Sequence, residues 1–355
     1  MLGALIPAWA LDLTVDQWLF SKISYTNSPA FDQKLEAMQV EGEQWDILFV
    51  GSSEVRWGID PETFDAEISA NIPDIGAKSF NIALDGFSPG LMFPLMQTPR
   101  FVVDRERTRI VMVGLNLAES VGVARLEHAP GACGQLQKPI LTSPFARDAG
   151  ISIICETPTA WNNWAERLTR ALPLVRYRSA IRAYLFREYP DPISEDITPR
   201  GFHPHSPDAD HVVKFWADQE RMREEEAHRY APLPPSYWES AVAEGGFLDE
   251  FVQLGETRGW HVVFFHLPTN PNFFEAFEKT ETVEQNLRLI QQWQERTGGV
   301  FIDLGIKYEY DRQADFADFR HLSAAGAKKY SAELAGAFSS DADLRALLES
   351  ASSSD

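Results

Sequence analysis

Cysteine is scarce in this chain, which has only Cys133 and Cys155 among its 355 residues. Two thiols cannot build a disulfide framework, and they cannot supply the four thiolates of a structural zinc site. One disulfide between them and two unpaired buried thiols are both compatible with the sequence, because sequence alone gives no Cα separation.

Basic residues are also few, since 32 lysines and arginines stand against 52 acidic residues and give a formal net charge of -20. An acidic surface repels phosphate backbones and anionic lipids, so we expect no nucleic-acid partner. No hydrophobic run approaches the roughly 20 residues that span a bilayer, and we expect no stable membrane span. The apolar stretch Met1–Leu13 contains Ala8-Trp9-Ala10 near its end. It resembles the tail of a secretory signal or anchor, and an ordinary packed N-terminal segment is the alternative.

The sequence does contain enough apolar material for a packed core, with 44% hydrophobic and 12% aromatic residues. Helical segments such as Pro61–Ala70, which follows a cap-like Asp60, and Thr282–Thr297 alternate with short apolar runs. Five of these runs have the length and composition of buried parallel strands: Ile47–Val50, Ser79–Ala83, Arg109–Val113, His261–His266 and Val300–Leu304. The alternation predicts a flavodoxin-like, three-layer α/β/α fold with a five-stranded parallel sheet.

A long insertion interrupts this alternation. About 150 residues, from Leu115 to Trp260, separate the third and fourth predicted strands, far more than a crossover connection needs. Within it, Ala160–Arg187 has Leu, Trp and Arg at helical spacing, while Pro190–His211 has the composition of an irregular loop. We therefore expect a largely helical cap at residues 121–245. It divides the core into residues 41–120 and 246–340, with an N-terminal segment at 1–40 and a tail at 341–355.

Two places in the sequence hold the residue types of nucleophilic catalysis. The first predicted strand runs into Gly51-Ser52-Ser53, which places a serine at the carboxyl edge of the sheet, where such sheets bind ligands. Asp318 and His321 stand three residues apart before a predicted helix, Ala324–Phe338, that Ser323 can cap. At this spacing the carboxylate can accept the imidazole Nδ1 proton and leave Nε2 to deprotonate a serine. Taken singly, the first place is also compatible with a simple turn and the second with a helix-entry histidine.

Four motifs together resemble the SGNH, or GDSL-like, hydrolase superfamily, over about two-thirds of the chain and in the family's order. They are Gly51-Ser52-Ser53, Asn81-Ile82-Ala83-Leu84-Asp85-Gly86, Gly114-Leu115-Asn116 and the pair Asp318 and His321. Each lies close after a predicted strand or before the final helix. Four motifs in order are much more specific than any one of them.

The resemblance implies that Ser53 is a nucleophile activated by His321 and Asp318. It also implies an oxyanion hole formed by the backbone N–H groups of Ser53 and Gly86 and by the side-chain amide of Asn116. Losing one such donor typically costs roughly 3 to 4 kcal/mol of transition-state stabilisation. From the residues alone, Gly86 is equally compatible with a positive-φ turn and Asn116 with a loop cap. No metal and no cofactor are expected.

Two positions depart from the family pattern. Ser52 replaces the usual aspartate of the first motif, and Leu117 replaces the aspartate that often follows the third-motif asparagine. Together with Gly51–Pro61, they resemble a branch with alginate O-acetyltransferase-like proteins and D-alanyl-transfer proteins of the cell envelope. That branch implies acyl chemistry, with acetyl as the first choice, on a carbohydrate or envelope polysaccharide. It favours a periplasmic or envelope location over a cytoplasmic one.

Weaker features each have a plain alternative. Arg56 is predicted to bind an anionic substrate group or to pair with an acidic neighbour. We interpret one cluster as a solvated loop rather than a metal site: His203, His205, Asp208, Asp210 and His211. Four tryptophans of the insertion are candidates for stacking on sugar rings, with burial as the alternative: Trp161, Trp164, Trp216 and Trp238.

The sequence therefore predicts a serine esterase or O-acyltransferase that forms an acyl-enzyme from an acyl ester or carbohydrate substrate. Hydrolysis and transfer differ in whether water or a sugar hydroxyl resolves the acyl-enzyme, which depends on water exclusion by the insertion. The alternative from another class is a catalytically inactive SGNH-fold protein that binds carbohydrate or acts as a scaffold in polysaccharide assembly.

Overall fold

The computed structural model describes residues 28–38, 45–73, 75–97, 108–117, 140, 197–204, 213, 216–218, 236–268, 270, 280–304 and 309–352. The chain divides into two compact units, one of Met1–Gln33 and Gly131–Glu195 and the other of Lys34–Pro130 and Asp196–Asp355. The strands described below belong to the second unit. The segment Met1–Leu13, the predicted helical stretch Ala160–Arg187 and both cysteines lie outside the described residues, as does most of the predicted cap.

The described elements alternate between strand and helix on both sides of the insertion. The strands are β1 (Ile47–Val50), β2 (Ser79–Asn81), β3 (Ile110–Leu115), β4 (His261–His266) and β5 (Val300–Ile302). The helices are α1 (Pro29–Met38), α2 (Ser53–Gly58), α3 (Pro61–Asn71), α4 (Pro89–Met96), α5 (Ser236–Val242), α6 (Phe247–Arg258), α7 (Thr280–Thr297), α8 (Ala324–Ser340) and α9 (Ala342–Ser352).

All five strands form one parallel sheet in the order β2-β1-β3-β4-β5. In this flavodoxin-like order, β2 is added on one side of β1 and the later strands on the other. Such a switch point opens a crevice at the carboxyl ends of the strands. The predicted bounds of β1 and β4 are confirmed. β3 begins one residue later than predicted, at Ile110, and ends two residues later, because pairing with β4 continues to Leu115 and His266. β2 is at the edge of the sheet among the described strands, pairs there with β1, and ends at Asn81, two residues before its predicted end at Ala83.

Helices cover both faces of the sheet, as the near-continuous apolar strands predict. On β4, successive side chains point to opposite faces. Phe265 belongs to a core cluster with side chains of α3 and α8, such as Phe64 and Tyr330. Its neighbour Phe264 lies 5.5 Å, ring centroid to ring centroid, from Trp293 of α7. The three-layer α/β/α architecture predicted from the sequence is confirmed.

The two predicted helix caps are also in place. Asp60 accepts the N–H of Glu62 at 3.2 Å at the start of α3, and Ser323 accepts the N–H of Gly326 at 3.2 Å at the start of α8. Such side-chain oxygens satisfy amide donors that a helix N-terminus leaves unpaired. Among the described helices, none combines the length and the apolar character that crossing a bilayer requires.

Candidate active site

Ser53 is the first residue of α2, three residues after the end of the fully buried strand β1. Two glycines let this short helix approach the sheet closely. A Cβ on Gly51 or on Gly114 would collide with the side chain of Val55 on α2. The glycines of the first and third motifs therefore make room for the helix that begins with the serine.

A closed loop before α8 presents His321. Ala317 N–H donates to the carbonyl of His321 at 2.8 Å, which draws the two ends of the loop together. Asp318 Oδ1 accepts the backbone N–H groups of Arg320 at 2.7 Å and of His321 at 2.8 Å. On the other side, the N–H of Asn270, beyond β4, donates to the carbonyl of Phe319 at 3.3 Å. These bonds fix the loop, and with it the direction of the imidazole.

The structure brings the three predicted catalytic side chains into one line of hydrogen bonds. Ser53 Oγ lies 2.8 Å from His321 Nε2, and His321 Nδ1 lies 2.7 Å from Asp318 Oδ2. An ionised carboxylate only accepts, so Nδ1 carries the proton of a neutral imidazole. Nε2 is then the acceptor, and the Ser53 hydroxyl donates to it. His321 is 6% exposed, so water has little access to the ring.

The surroundings of Asp318 stabilise the ionised form of its carboxyl. Burial of this carboxyl raises its pKa, but His321 and the backbone N–H of Arg320 outweigh burial and hold the pKa well below its usual range. The Asp318 carboxyl is therefore ionised at neutral pH. The ring of Trp57 on α2 packs against the imidazole, with 4.3 Å between ring centroids, and restricts its rotation.

Two of the three predicted oxyanion donors, Gly86 and Asn116, lie in the loops on either side of α2, and the third, Ser53, is the first residue of α2. Because β1 lies between β2 and β3, the loops that follow those two strands flank the helix that follows β1. Gly86 has a φ of 71° in a turn that the N–H of Phe87 closes onto the carbonyl of Leu84 at 3.1 Å. Asn116, directly after β3, is 8% exposed, and its Nδ2 donates to Glu54 Oε1 at 2.6 Å. All three predicted donors thus lie at the carboxyl edge of adjacent strands.

Comparison with known proteins adds no relative to this geometry. No family model matches the chain, and no curated protein matches it. The likeness to SGNH hydrolases accordingly rests on the four motifs and on where the fold places them.

Arg56 of α2 is engaged within the protein. The guanidinium is 3% exposed, forms an ion pair with Asp85 Oδ2 and approaches His203 Nδ1 at 2.8 Å. An anionic substrate group would have to displace Asp85, so the geometry favours the ion pair over the substrate contact that the sequence allowed. His203 is the described member of the predicted His/Asp loop, and the other four lie outside the described residues. Within the described ranges, no group of three or more His, Cys, Asp or Glu side chains could hold a metal ion.

Of the four tryptophans of the insertion, two are among the described residues and two are not. Trp238 on α5 is 1% exposed, so stacking of a sugar on its ring is excluded and the burial alternative is correct. Trp216 is half-buried and packs against the core cluster. Trp161 and Trp164 lie outside the described residues.

Three residues that support the site were not identified from the sequence. Glu54 binds Asn116, as described above. Asn81, the last residue of β2, donates Nδ2 to the carbonyls of Val55 at 2.8 Å and Ile59 at 3.0 Å at the end of α2. Lys34 is fully buried and donates Nζ to the carbonyl of Asn81 at 2.9 Å. Of the three, Asn81 alone carries a signal in the sequence, because it is a polar residue within a buried strand.

Proposed function

We propose that this chain is an SGNH-type serine esterase or O-acyltransferase. The proposal depends on one observation above all, the line of hydrogen bonds from Ser53 Oγ through both nitrogens of His321 to Asp318. A buried imidazole with its tautomer fixed by a carboxylate is the arrangement that activates a serine hydroxyl as a nucleophile.

In the first half of the reaction, Ser53 Oγ attacks the acyl carbonyl carbon while its proton moves to His321 Nε2. The carbonyl oxygen becomes an oxyanion, which the N–H groups of Ser53 and Gly86 and the amide of Asn116 would stabilise. Preorganised donors of this kind act without reorganising during the reaction. When the tetrahedral intermediate collapses, the ester C–O bond breaks and the imidazolium returns its proton to the departing alkoxide.

In the second half, water or a sugar hydroxyl attacks the acyl-Ser53 ester. His321 takes the proton of the attacking group and then returns it to Ser53 Oγ as the acyl–serine bond breaks. No redox partner is required, since every step exchanges one C–O bond for another and moves one proton. The likeness to envelope acyl-transfer proteins suggests acetyl groups and a carbohydrate or polysaccharide acceptor.

The nucleophile is tested by labelling with a fluorophosphonate probe. The wild-type chain should be labelled, with the probe mapped to the peptide that contains Ser53, and should hydrolyse an aryl acetate. Ser53→Ala should abolish labelling and lower kcat by roughly 10³-fold or more. Ser340→Ala, which changes an exposed serine of α8, is the matched control and should retain both activities. Labelling that persists in Ser53→Ala, or its absence in the wild type, would contradict the proposal.

An assay with and without a polysaccharide acceptor distinguishes hydrolysis from acyl transfer. The aryl acetate is supplied with and without a polysaccharide, and acetate release is compared with acetylation of the polymer. A transferase should acetylate the polysaccharide in a Ser53-dependent way and release less free acetate when the acceptor is present. A hydrolase should release the same acetate in both cases.

A further inference from the structure

Glu54 is a buried carboxylate directly after the proposed nucleophile, and both of its oxygens are engaged. Oε1 accepts a hydrogen bond from Asn116 Nδ2 at 2.6 Å, and Oε2 accepts one from Ser52 Oγ at 2.9 Å. The residue is 8% exposed. A charged side chain is rarely kept inside a protein without partners, and here the partners belong to the first and third motifs.

The contact with Glu54 decides how the Asn116 amide is turned. The torsion that rotates a side-chain amide is soft and has broad wells, so an unrestrained asparagine presents its N–H groups in many directions. Nδ2 carries two N–H groups in the plane of the amide. Once Glu54 holds one of them in a short, charge-assisted hydrogen bond, the plane is set and the direction of the second N–H is set with it.

Ser52 completes the arrangement from the other side. Its hydroxyl donates to Glu54 Oε2 and also caps the N-terminus of α2. An aspartate at this position, the usual residue of the SGNH first motif, would be an acceptor only and would bring a second negative charge to Glu54. The serine that departs from the family pattern therefore suits a carboxylate at position 54, because its hydroxyl donates to that carboxylate.

We propose that Glu54 is a positioning residue for the oxyanion hole, which orients the Asn116 amide and is itself oriented by Ser52. This inference rests on the proposed function, since it assigns a role within the same site. Glu54 acts through Asn116, so the consequence of losing it should be a poorer transition state rather than weaker substrate binding.

A double-mutant cycle tests this directly. Asn116→Ala should lower kcat for an aryl acetate by roughly 10²-fold to 10³-fold, the typical result of removing an oxyanion donor. Glu54→Ala should lower kcat by about 10-fold or more with little change in KM. Because both changes remove the same interaction, the double variant should be no slower than Asn116→Ala alone, within a few-fold.

Two further variants separate positioning from a general structural role. Glu54→Gln keeps an oxygen that accepts from Asn116 and should recover most of the wild-type kcat. Glu62→Ala, which removes an exposed carboxylate from α3, is the matched control and should leave kcat unchanged. If Glu54→Ala does not fold, Ser52→Ala takes its place in the cycle, with the same expected non-additivity with Asn116→Ala.

The outcomes distinguish this inference from the proposed function. If Ser53 is labelled in the wild type but the effects of Glu54→Ala and Asn116→Ala multiply, Glu54 does not act through Asn116 and the inference is wrong. A Glu54→Ala variant with full kcat would overturn it equally. If Ser53 in the wild-type chain is not labelled at all, the proposed function and this inference fall together.

Discussion

Asp318 uses its two carboxylate oxygens for two different tasks. Oδ1 accepts hydrogen bonds from the backbone N–H groups of Arg320 and His321 and holds the loop closed, while Oδ2 accepts a hydrogen bond from the Nδ1–H of His321. The first task is structural and the second fixes the tautomer of the proposed base. An amide at this position can perform the first task but presents the wrong hydrogen-bonding group for the second.

Asp318→Asn is therefore expected to fold and to lose activity. The asparagine oxygen can still accept from the loop, but its NH₂ group would favour the imidazole tautomer with the proton on Nε2, which cannot accept from Ser53. The fall in kcat/KM should be on the order of 10⁴-fold, as in serine proteases. Steady-state kinetics and circular dichroism measure the two effects. Asp343→Asn, an exposed change on α9, is the control, and an Asp318→Asn enzyme with near-normal activity would remove Asp318 from the mechanism.

At the scale of elements, α2 is held by a side chain of β2, although α3 lies between α2 and β2 in the chain. Asn81 of β2 donates Nδ2 to carbonyls at the end of α2, and its Oδ1 accepts the N–H of Ala83 at 3.1 Å. The side chain is fully buried, so no water can replace it. Removing it takes away the hydrogen bonds of the Ile59 carbonyl and of the Ala83 N–H, while the Val55 carbonyl keeps the N–H of Ile59 at 3.1 Å. Leaving buried polar groups unsatisfied in this way is expensive.

Asn81→Ala should lower the free energy of unfolding by about 2 to 3 kcal/mol. Asn81→Asp should cost at least as much, because a carboxylate cannot donate to the helix carbonyls and would be repelled by them. Urea denaturation measures both values. Asn71→Ala, which removes an exposed hydrogen bond to Glu67 on α3, should change stability by less than about 0.5 kcal/mol. Equal costs for Asn81→Ala and Asn71→Ala would show that α2 is not held in this way.

The sequence predicts these elements better than the contacts between them. Strand cores and the caps Asp60 and Ser323 follow from local patterns, since apolar runs and capping residues act within a few positions. The bond between Glu54 and Asn116 joins residues 62 positions apart and depends on how two loops meet at the sheet edge. The hydrophobic pattern of the sequence does not encode how these two loops meet, and so the sequence predicted a role for Asn116 but not its contact with Glu54.

At the scale of the whole molecule, two buried titratable groups give stability opposite dependences on pH. Burial lowers the pKa of His266 to about 4, although Asp303 acts in the other direction. Between this value and 6.5, the unfolded chain binds the extra proton, so stability is lost as pH falls. Burial raises the pKa of Asp65 to about 6, against hydrogen bonds from Ser79 and the charge of Arg200. Between 3.8 and that value, the folded chain binds the extra proton, so stability is gained as pH falls.

Removing either group should therefore change how the free energy of unfolding depends on pH, in opposite directions for the two variants. As pH falls from about 7 to about 5, the unfolding free energy of His266→Gln should rise by about 2 kcal/mol relative to that of the wild type. The reason is that the variant lacks the histidine whose protonation in the unfolded chain destabilises the wild type at acidic pH. Asp65→Asn should instead lose about 1 kcal/mol over the same interval. Urea denaturation at the two pH values gives these differences. His261→Gln, an exposed change on the same strand as His266, is the control. Parallel curves for His266→Gln and the wild type would contradict the prediction.

The outer edge of β2 is covered at Asn81 by residues 200 and 201. The N–H of Asn81 donates to the carbonyl of Arg200 at 2.9 Å, and Gly201, at a φ of 80°, lies so close to the Asn81 carbonyl that a Cβ would collide with it. An uncovered edge amide recruits strands from other molecules. The Arg200 carbonyl and Gly201 thus cover this edge at Asn81, so a protease cut or a deletion there should open the Asn81 N–H to another molecule and lower the colloidal stability of the protein.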